Sequence, residues 1–208
     1  VSDLIFYTNP MSRGRIARWM LEEVGEPYEV RLVGWDDKPD DFLAANPMAK
    51  VPTIIHAGRV VTEGAAIIAY LADAFPAAGL APTDAERADY YRWMVFAAGP
   101  VEAAITDRSL GVTVGEDQKA MVGYGDLDRV IATLKQAVTA HEYIAGDRFT
   151  AADVYVGSHI AWGTQFGSLP QCAEFDAYLG RIMERPAAVR AREIDDALIA
   201  AQQPASAG

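Results

Sequence analysis

Val51-Pro52, at the end of Asn46-Pro47-Met48-Ala49-Lys50-Val51-Pro52, and Glu63-Gly64 eleven residues further on have the types and spacing that point most directly to chemistry. Proline cannot donate a ladder hydrogen bond, so Pro52 belongs at the very start of the apolar strand Thr53-Ile54-Ile55. A cis bond before it would turn the N–H and C=O of Val51 outward, free to pair with an extended ligand as in strand addition. Glu63 precedes the helical pattern Gly64-Ala65-Ala66-Ile67-Ile68. A carboxylate beside the free N–H groups of a helix start can grip a ligand carrying both an amine and a carboxylate. Together these residues describe a strand-edge site for a small peptide.

A second chemical segment, Tyr7-Thr8-Asn9-Pro10-Met11-Ser12-Arg13-Gly14-Arg15, links the first strand to the first helix. Ser12 is an N-cap candidate, which puts its hydroxyl where unsatisfied N–H groups point at a ligand. Capping alone would explain Ser12; the Val51-Pro52 and Glu63 pattern turns the balance toward a functional hydroxyl.

Val51-Pro52, Glu63 and the Ser12 loop resemble the glutathione-binding half of the cytosolic glutathione transferases, in a bacterial, serine-type form akin to the theta, phi and beta classes. That resemblance implies an α/β thioredoxin-like N-terminal domain followed by an all-α C-terminal domain. It implies that Val51, before a cis Pro52, pairs with the cysteinyl backbone of glutathione, and that Glu63 holds the γ-glutamyl group. The family's serine or threonine after that acid is Gly64 here, which leaves only a backbone N–H for the contact. Ser12 stands where the serine classes place the group that steadies the glutathione thiolate; Tyr7, at the strand end used by the tyrosine classes, is the alternative. Lys50 and Lys38 match positions that approach glutathione carboxylates, although each also reads as a solvated charge. Trp93 and Phe96 lie on the first helix of the second domain, which in the family walls the electrophile site. Glutathione is then a co-substrate, the partners are a small hydrophobic electrophile and a second copy of the chain, and the reaction is conjugation of the thiolate to that electrophile. The alternatives are a glutathione-dependent isomerase or lyase, or a non-catalytic binding protein on the same fold.

The elements that must carry these residues are legible from periodicity. Leu4-Ile5-Phe6-Tyr7 and the alternating Tyr28, Val30 and Leu32 read as strands. Between them Ile16, Ala17, Met20, Leu21 and Val24 recur at helical spacing, closed by Gly25. Thr53–Ile55 and Val60-Val61 flank Ala57-Gly58-Arg59 as a hairpin, and Ile67, Ile68, Leu71 and Phe75 give a further helix. The turn-rich Pro76–Pro82 stretch sets the boundary, giving domains 1–78 and 86–208 with a linker at 79–85. The second domain reads as helical throughout, with a kink at Gly99-Pro100. Its other marks are apolar stripes from Leu127 and from Phe175, a capping box at Thr150-Ala151-Ala152-Asp153, and a helix-entry turn at Gly123-Tyr124-Gly125-Asp126. The Ala/Gln/Pro/Ser tail after Leu198 reads as disordered.

Composition narrows the class. The 208 residues carry 29 acidic and 18 basic side chains, a formal charge of −11 that disfavours nucleic acid and anionic membranes as partners. Cys172 is the single cysteine, so no internal disulfide is possible and a reducing, cytoplasmic setting is expected. His56, His141 and His159 are scattered without a Cys cluster, so no metal site is expected. No apolar run is long enough to span a bilayer and the N-terminus lacks signal-peptide features.

Overall fold

A computed structural model describes residues 3–202. Residues up to Gly79 together with those from Glu184 onward form one unit, and Leu80–Met183 form a second.

The first unit is built on a four-stranded sheet in the order β2-β1-β3-β4. The strand β1 (Leu4–Thr8) runs parallel to β2 (Glu29–Leu32) and antiparallel to β3 (Thr53–His56), which pairs with β4 (Arg59–Val61). Ala57 and Gly58 turn the β3–β4 hairpin with φ of 49° and 73°, the left-handed pair that matches strand twist in a two-residue loop. Alternate β1 residues face opposite layers. Phe6 lies under the Arg18 guanidinium of α1 (Gly14–Val24), while Tyr7 packs on Phe42 of α2 (Asp40–Ala45). The periodic stripe of α1 is buried through Ile16, Ala17, Met20 and Leu21, and the helix ends on Gly25 at φ 77°. Helix α3 (Gly64–Ala74) buries Ile67, Ile68 and Leu71. This is the expected thioredoxin-like arrangement, with α2 as an addition. Six residues with one buried anchor, Phe42, give periodicity nothing to detect. Val30 and Leu32 mark β2 as a strand but are themselves exposed, because β2 is an edge of the sheet.

The last helix, α9 (Pro186–Gln202), packs on α1. The sequence reading placed it with the helical domain, and four ion pairs explain the difference. Arg15–Asp196 and Arg18–Asp195 pair at one end, Arg185–Glu23 and Arg190–Glu22 at the other. Each helix is basic along one half of the seam and acidic along the other, which fits only the antiparallel docking. The exposed Arg15–Asp196 pair contributes little, but Arg185 holds the nearly buried Glu23 through two bonds of 2.7 and 2.8 Å, and Arg18 and Asp195 are both 1% exposed. A buried pair of that kind penalises any docking that separates its charges. Residues 199–202, which the sequence reading placed in a disordered tail, continue this helix; the remainder of that tail lies outside the described residues.

The second unit is helical: α4 (Arg87–Phe96), α5 (Glu102–Ser109), α6 (Leu127–Ala140), α7 (Ala151–Gln165) and α8 (Ala173–Ile182). Between α4 and α5, Ala97–Val101 forms a π turn that absorbs Pro100, the kink expected at Gly99-Pro100. Asp126 caps α6 by accepting from the Arg129 N–H at 2.8 Å, so the Gly123–Asp126 segment is the helix-entry turn expected of it. Helix α7 is buried along Ala151–Ile160 and packs on α4 and α8. Its first turn carries the expected capping box, and Asp153 there is fully buried. The Asp153 carboxylate accepts from the N–H of Ile144 and of Thr150, and from the hydroxyls of Thr150 and Tyr178. No described helix is long and apolar enough to cross a membrane.

Candidate functional site

The sheet register gathers the chemical residues at one end of the first unit. Tyr7 pairs with Thr53, so the loop leaving β1 and the Val51-Pro52 segment entering β3 lie at the same end. Thr8 pairs with Leu32 in the parallel β2, which brings the segment leading to Lys38 there as well. Ile54 pairs with Val61, so the chain leaving β4 toward Glu63 and the start of α3 also emerges there. Residues more than fifty positions apart in sequence thus share one end of the sheet because of pairing alone.

Val51 is half-buried and its bond to Pro52 is cis. Among the described residues none hydrogen-bonds to the backbone N–H or C=O of Val51. The turn before it is held by Asn46, which is buried and whose side chain makes three hydrogen bonds. Its amide donates to Lys50 O at 2.8 Å and to Thr53 Oγ1 at 3.0 Å, and its Oδ1 accepts from Met48 N at 3.1 Å. Asn46 belongs to the quoted motif, but sequence reasoning gave it no role; asparagine at a turn before a strand-initial proline was the available signal. Asn46→Ala removes three hydrogen bonds from the turn before Val51 and leaves Lys50 O with the Thr53 hydroxyl alone, at 3.1 Å. It is expected to lower stability by about 1–3 kcal/mol and to weaken peptide binding in calorimetry, with unchanged affinity as the contrary result.

Glu63 has φ 65° and immediately precedes α3. Such left-handed backbone at a non-glycine residue is uncommon and clusters at ligand sites. The Glu63 carboxylate is exposed and has no ion-pair partner among the described residues. The ammonium groups of Lys38, half-buried, and Lys50, exposed, likewise pair with no described residue. Three charges left unanswered at one edge suit a ligand bearing both signs. Gly64 opens α3, and as the first helical residue its N–H has no intrahelical acceptor.

Ser12 is half-buried in the loop from β1 to α1. Its hydroxyl donates to Asn9 O at 2.7 Å and accepts from Gly14 N at 2.9 Å. The residue in N-cap position is Arg13, whose side chain makes no cap bond, so Ser12 caps from one residue earlier than expected. Asn9 is the organiser that sequence reasoning missed. It is buried, donates to Val33 O at 3.0 Å and accepts from Met11 N at 2.9 Å, clamping the loop to the residue after β2.

Tyr7 is placed differently. It is buried, and its hydroxyl donates to Asp41 Oδ2 at 2.8 Å while accepting from Arg31 Nη1 at 2.8 Å. Arg31 also reaches Asp41 at 2.7 Å, closing a triangle on the α2 side of the sheet. Burial, and then donation to Asp41, push the Tyr7 phenol above its ordinary value. Its proton is therefore committed to a carboxylate.

In the second unit, Trp93 is packed inside with the Arg92 guanidinium 4.3 Å above its ring, and Phe96 meets it edge-on at 5.7 Å, half-exposed. On the same helix Tyr91 and Val95 are exposed. Among the described residues no group of three His, Cys, Asp or Glu could hold a metal ion.

Residues 11–74 match the family model described as "Glutathione S-transferase, N-terminal domain". The chain is 31% identical over 165 residues to the glutathione S-transferase GstA of Escherichia coli O157:H7, covering 77% of this chain and 78% of that protein. It is 29% identical over 167 residues to the glutathione S-transferase GST-4.5 of Xanthomonas campestris, covering 76% and 81%. Among solved structures it is similar to a sphingomonad glutathione S-transferase complexed with glutathione (TM-score 0.73, 26% identity, 92% of this chain and 98% of that one). It is equally similar to a theta class enzyme from Xanthomonas axonopodis pv. citri with glutathione bound (TM-score 0.73, 27% identity, 92% and 97%).

Proposed function

The chain belongs to the glutathione S-transferase family, and from that premise we propose that it conjugates the glutathione thiolate to small hydrophobic electrophiles, with Ser12 as the group that steadies the thiolate. The observation that carries this reading is the convergence at one sheet edge of Ser12, the unpaired Val51 backbone, Glu63 at positive φ, and Lys38 and Lys50. Glutathione is a short peptide with an ammonium group and two carboxylates, which matches an open strand edge beside one free carboxylate and two free ammonium groups. In this arrangement Val51 pairs with the cysteinyl backbone, Glu63 and the Gly64 N–H hold the γ-glutamyl end, and Lys50 and Lys38 answer the carboxylates.

The thiol then lies at the start of α1, where the helix N-terminus and the Ser12 hydroxyl favour its ionised form. Attack on an electrophilic carbon can displace halide, open an epoxide or add to an activated alkene. A preformed, positioned thiolate is the main source of rate. We read Phe96, half-exposed beside Trp93, as the ring that receives the apolar part of the electrophile on the helical unit. Such an activity fits a detoxifying enzyme in the cytoplasm.

Glu63 serves affinity more than the chemical step, since the ligand's ammonium changes little between ground and transition states. Glu63→Gln is therefore expected to weaken glutathione binding by about tenfold in calorimetry while kcat stays near the wild-type value. Equal affinities would remove Glu63 from the site. Retention on immobilised glutathione followed by turnover of a chloro-nitrobenzene tests the function itself. Gly64, which lacks the usual hydroxyl, favours a second reading as a non-catalytic binder; retention without turnover would select it.

We also propose a homodimer. The support is apolar surface on two helices: Ala65, Ala66 and Ala69 on α3 are incompletely covered, and Tyr91 and Val95 on α4 are exposed. Sedimentation at micromolar concentration is expected to give twice the chain mass, and a monomer there would contradict this.

A further inference from the structure

The Thr8 hydroxyl is the polar group at this site that nothing yet explains. Thr8 is completely buried, and its Oγ1 has no hydrogen-bond partner among the described residues. A buried hydroxyl left in that state costs stability, and a valine of the same shape would avoid the cost. Its position is specific. Thr8 is on the α1 face of β1, with Leu4 and Phe6, at the last residue before the Ser12 loop. A Cβ built on Gly14 would overlap the Thr8 hydroxyl and come within 3.0 Å of Ser12 Oγ. The two hydroxyls therefore converge on the same point above the Gly14 Cα, and glycine at position 14 leaves room for both.

The Ser12 proton points at Asn9 O and its oxygen accepts from Gly14 N. Donating to a thiolate requires Ser12 to release Asn9 O. That release strands nothing, because Asn9 O keeps the Ser12 N–H at 3.0 Å. Ser12 Oγ has two acceptor positions whichever way its proton points; Gly14 N–H fills one, and the second remains for a donor such as Thr8.

We propose that Thr8 is a positioning residue for Ser12: when glutathione binds as thiolate, Ser12 turns from Asn9 O to the sulfur, and the Thr8 hydroxyl closes the gap and donates to Ser12 Oγ. No proton changes owner in this step. Thr8 keeps its proton and shares it with Ser12, which keeps its own and shares it with the sulfur. Two accepted hydrogen bonds polarise the Ser12 O–H and make it the better donor. The Thr8 hydroxyl has no partner in this structure; once Ser12 turns toward the sulfur it gains one, so its burial cost is relieved where the chemistry needs it. This inference rests on the assignment of the thiolate to Ser12, and the experiment separates the two.

The probe is glutathione itself, with thiolate absorbance of the complex followed against pH in the wild type, Thr8→Val, Thr8→Ser, Ser12→Ala and the Thr8→Val/Ser12→Ala double variant, alongside thermal melts. Thr8→Val is expected to raise the pKa of the bound thiol, cutting the thiolate fraction below that pKa by roughly two- to tenfold, while Tm is unchanged or higher. Thr8→Ser keeps the hydroxyl and is expected to titrate like the wild type. In the Ser12→Ala background Thr8→Val should add nothing, because its effect passes through Ser12. A structural role alone would move Tm and leave the titration in place. The inference is overturned if Thr8→Val titrates like wild type while Ser12→Ala does not, if Thr8→Ser shifts as far as Thr8→Val, or if the shift persists without Ser12. If Ser12→Ala itself leaves the titration unchanged, the Ser12 assignment fails and this inference with it. Should Thr8→Val not fold, Thr8→Ala removes the same hydroxyl and is read by the same criteria.

Discussion

Asp153→Ala is expected to destabilise the helical unit by roughly 3 kcal/mol or more. The carboxylate accepts from Ile144 N at 2.8 Å, Thr150 N at 2.8 Å, Thr150 Oγ1 at 3.1 Å and Tyr178 OH at 2.9 Å, all of them buried. Alanine fills none of those positions, and water has little access to a site this deep. Each stranded donor carries a desolvation cost of about 1–3 kcal/mol, relieved in part by local relaxation. Domains of this size are stable by only about 5–15 kcal/mol, so the loss is a large fraction of the whole. Chemical denaturation followed by circular dichroism measures it, and a midpoint within error of wild type would show that the network is dispensable. Burial raises the Asp153 carboxyl above its usual value. A raised carboxyl is protonated more in the folded than in the unfolded state. Its contribution is therefore fully present in acid, below the unfolded value of about 3.9, and falls as pH rises through the folded one.

Ser12→Ala is expected to lower the conjugation rate by about ten- to a hundredfold while glutathione affinity is largely kept. The hydroxyl acts on the sulfur, and a hydrogen bond to a charged group is worth about 1.5–3 kcal/mol. The substitution also leaves Gly14 N without its side-chain acceptor, while Asn9 O keeps the backbone N–H of residue 12 at 3.0 Å. That cost falls on loop order, about 0.5–2 kcal/mol of stability by analogy with a lost helix cap, and thermal melts separate it from the rate. Steady-state kinetics with a chloro-nitrobenzene should show the loss in kcat; a rate within twofold of wild type would remove Ser12 from the mechanism. Tyr7→Phe should leave the rate nearly unchanged, because the phenol is bound to Asp41 and Arg31.

The sheet and most helices were legible because each rests on a local pattern. Gly25 closes α1, Ala57-Gly58 turns the hairpin, and Gly99-Pro100 forces the π turn. What local pattern cannot carry is partnership. The stripe of α9 says helix but not which surface covers it, and the answer lies in charges on α1 more than 160 residues away. Tyr7 and Ser12 both stand near the end of β1, and sequence spacing left both in play. The alternation of side chains along β1, anchored by Phe6 against α1, sends Tyr7 to α2 and Thr8 to the Ser12 side. Asn9 and Asn46 escaped notice for a related reason. Asparagine is common in turns, and only the structure shows that each one ties together the backbone carrying a site residue.

The most direct test of the account is the pH titration of thiolate absorbance in the glutathione complex of the wild type, Ser12→Ala and Tyr7→Phe. The wild-type thiol is expected to ionise well below the ordinary thiol value of about 8.5, the Ser12→Ala thiol to be displaced upward by about one to two units, and the Tyr7→Phe thiol to be unchanged. A thiol that titrates identically in wild type and Ser12→Ala, while Tyr7→Phe shifts it, would contradict the account.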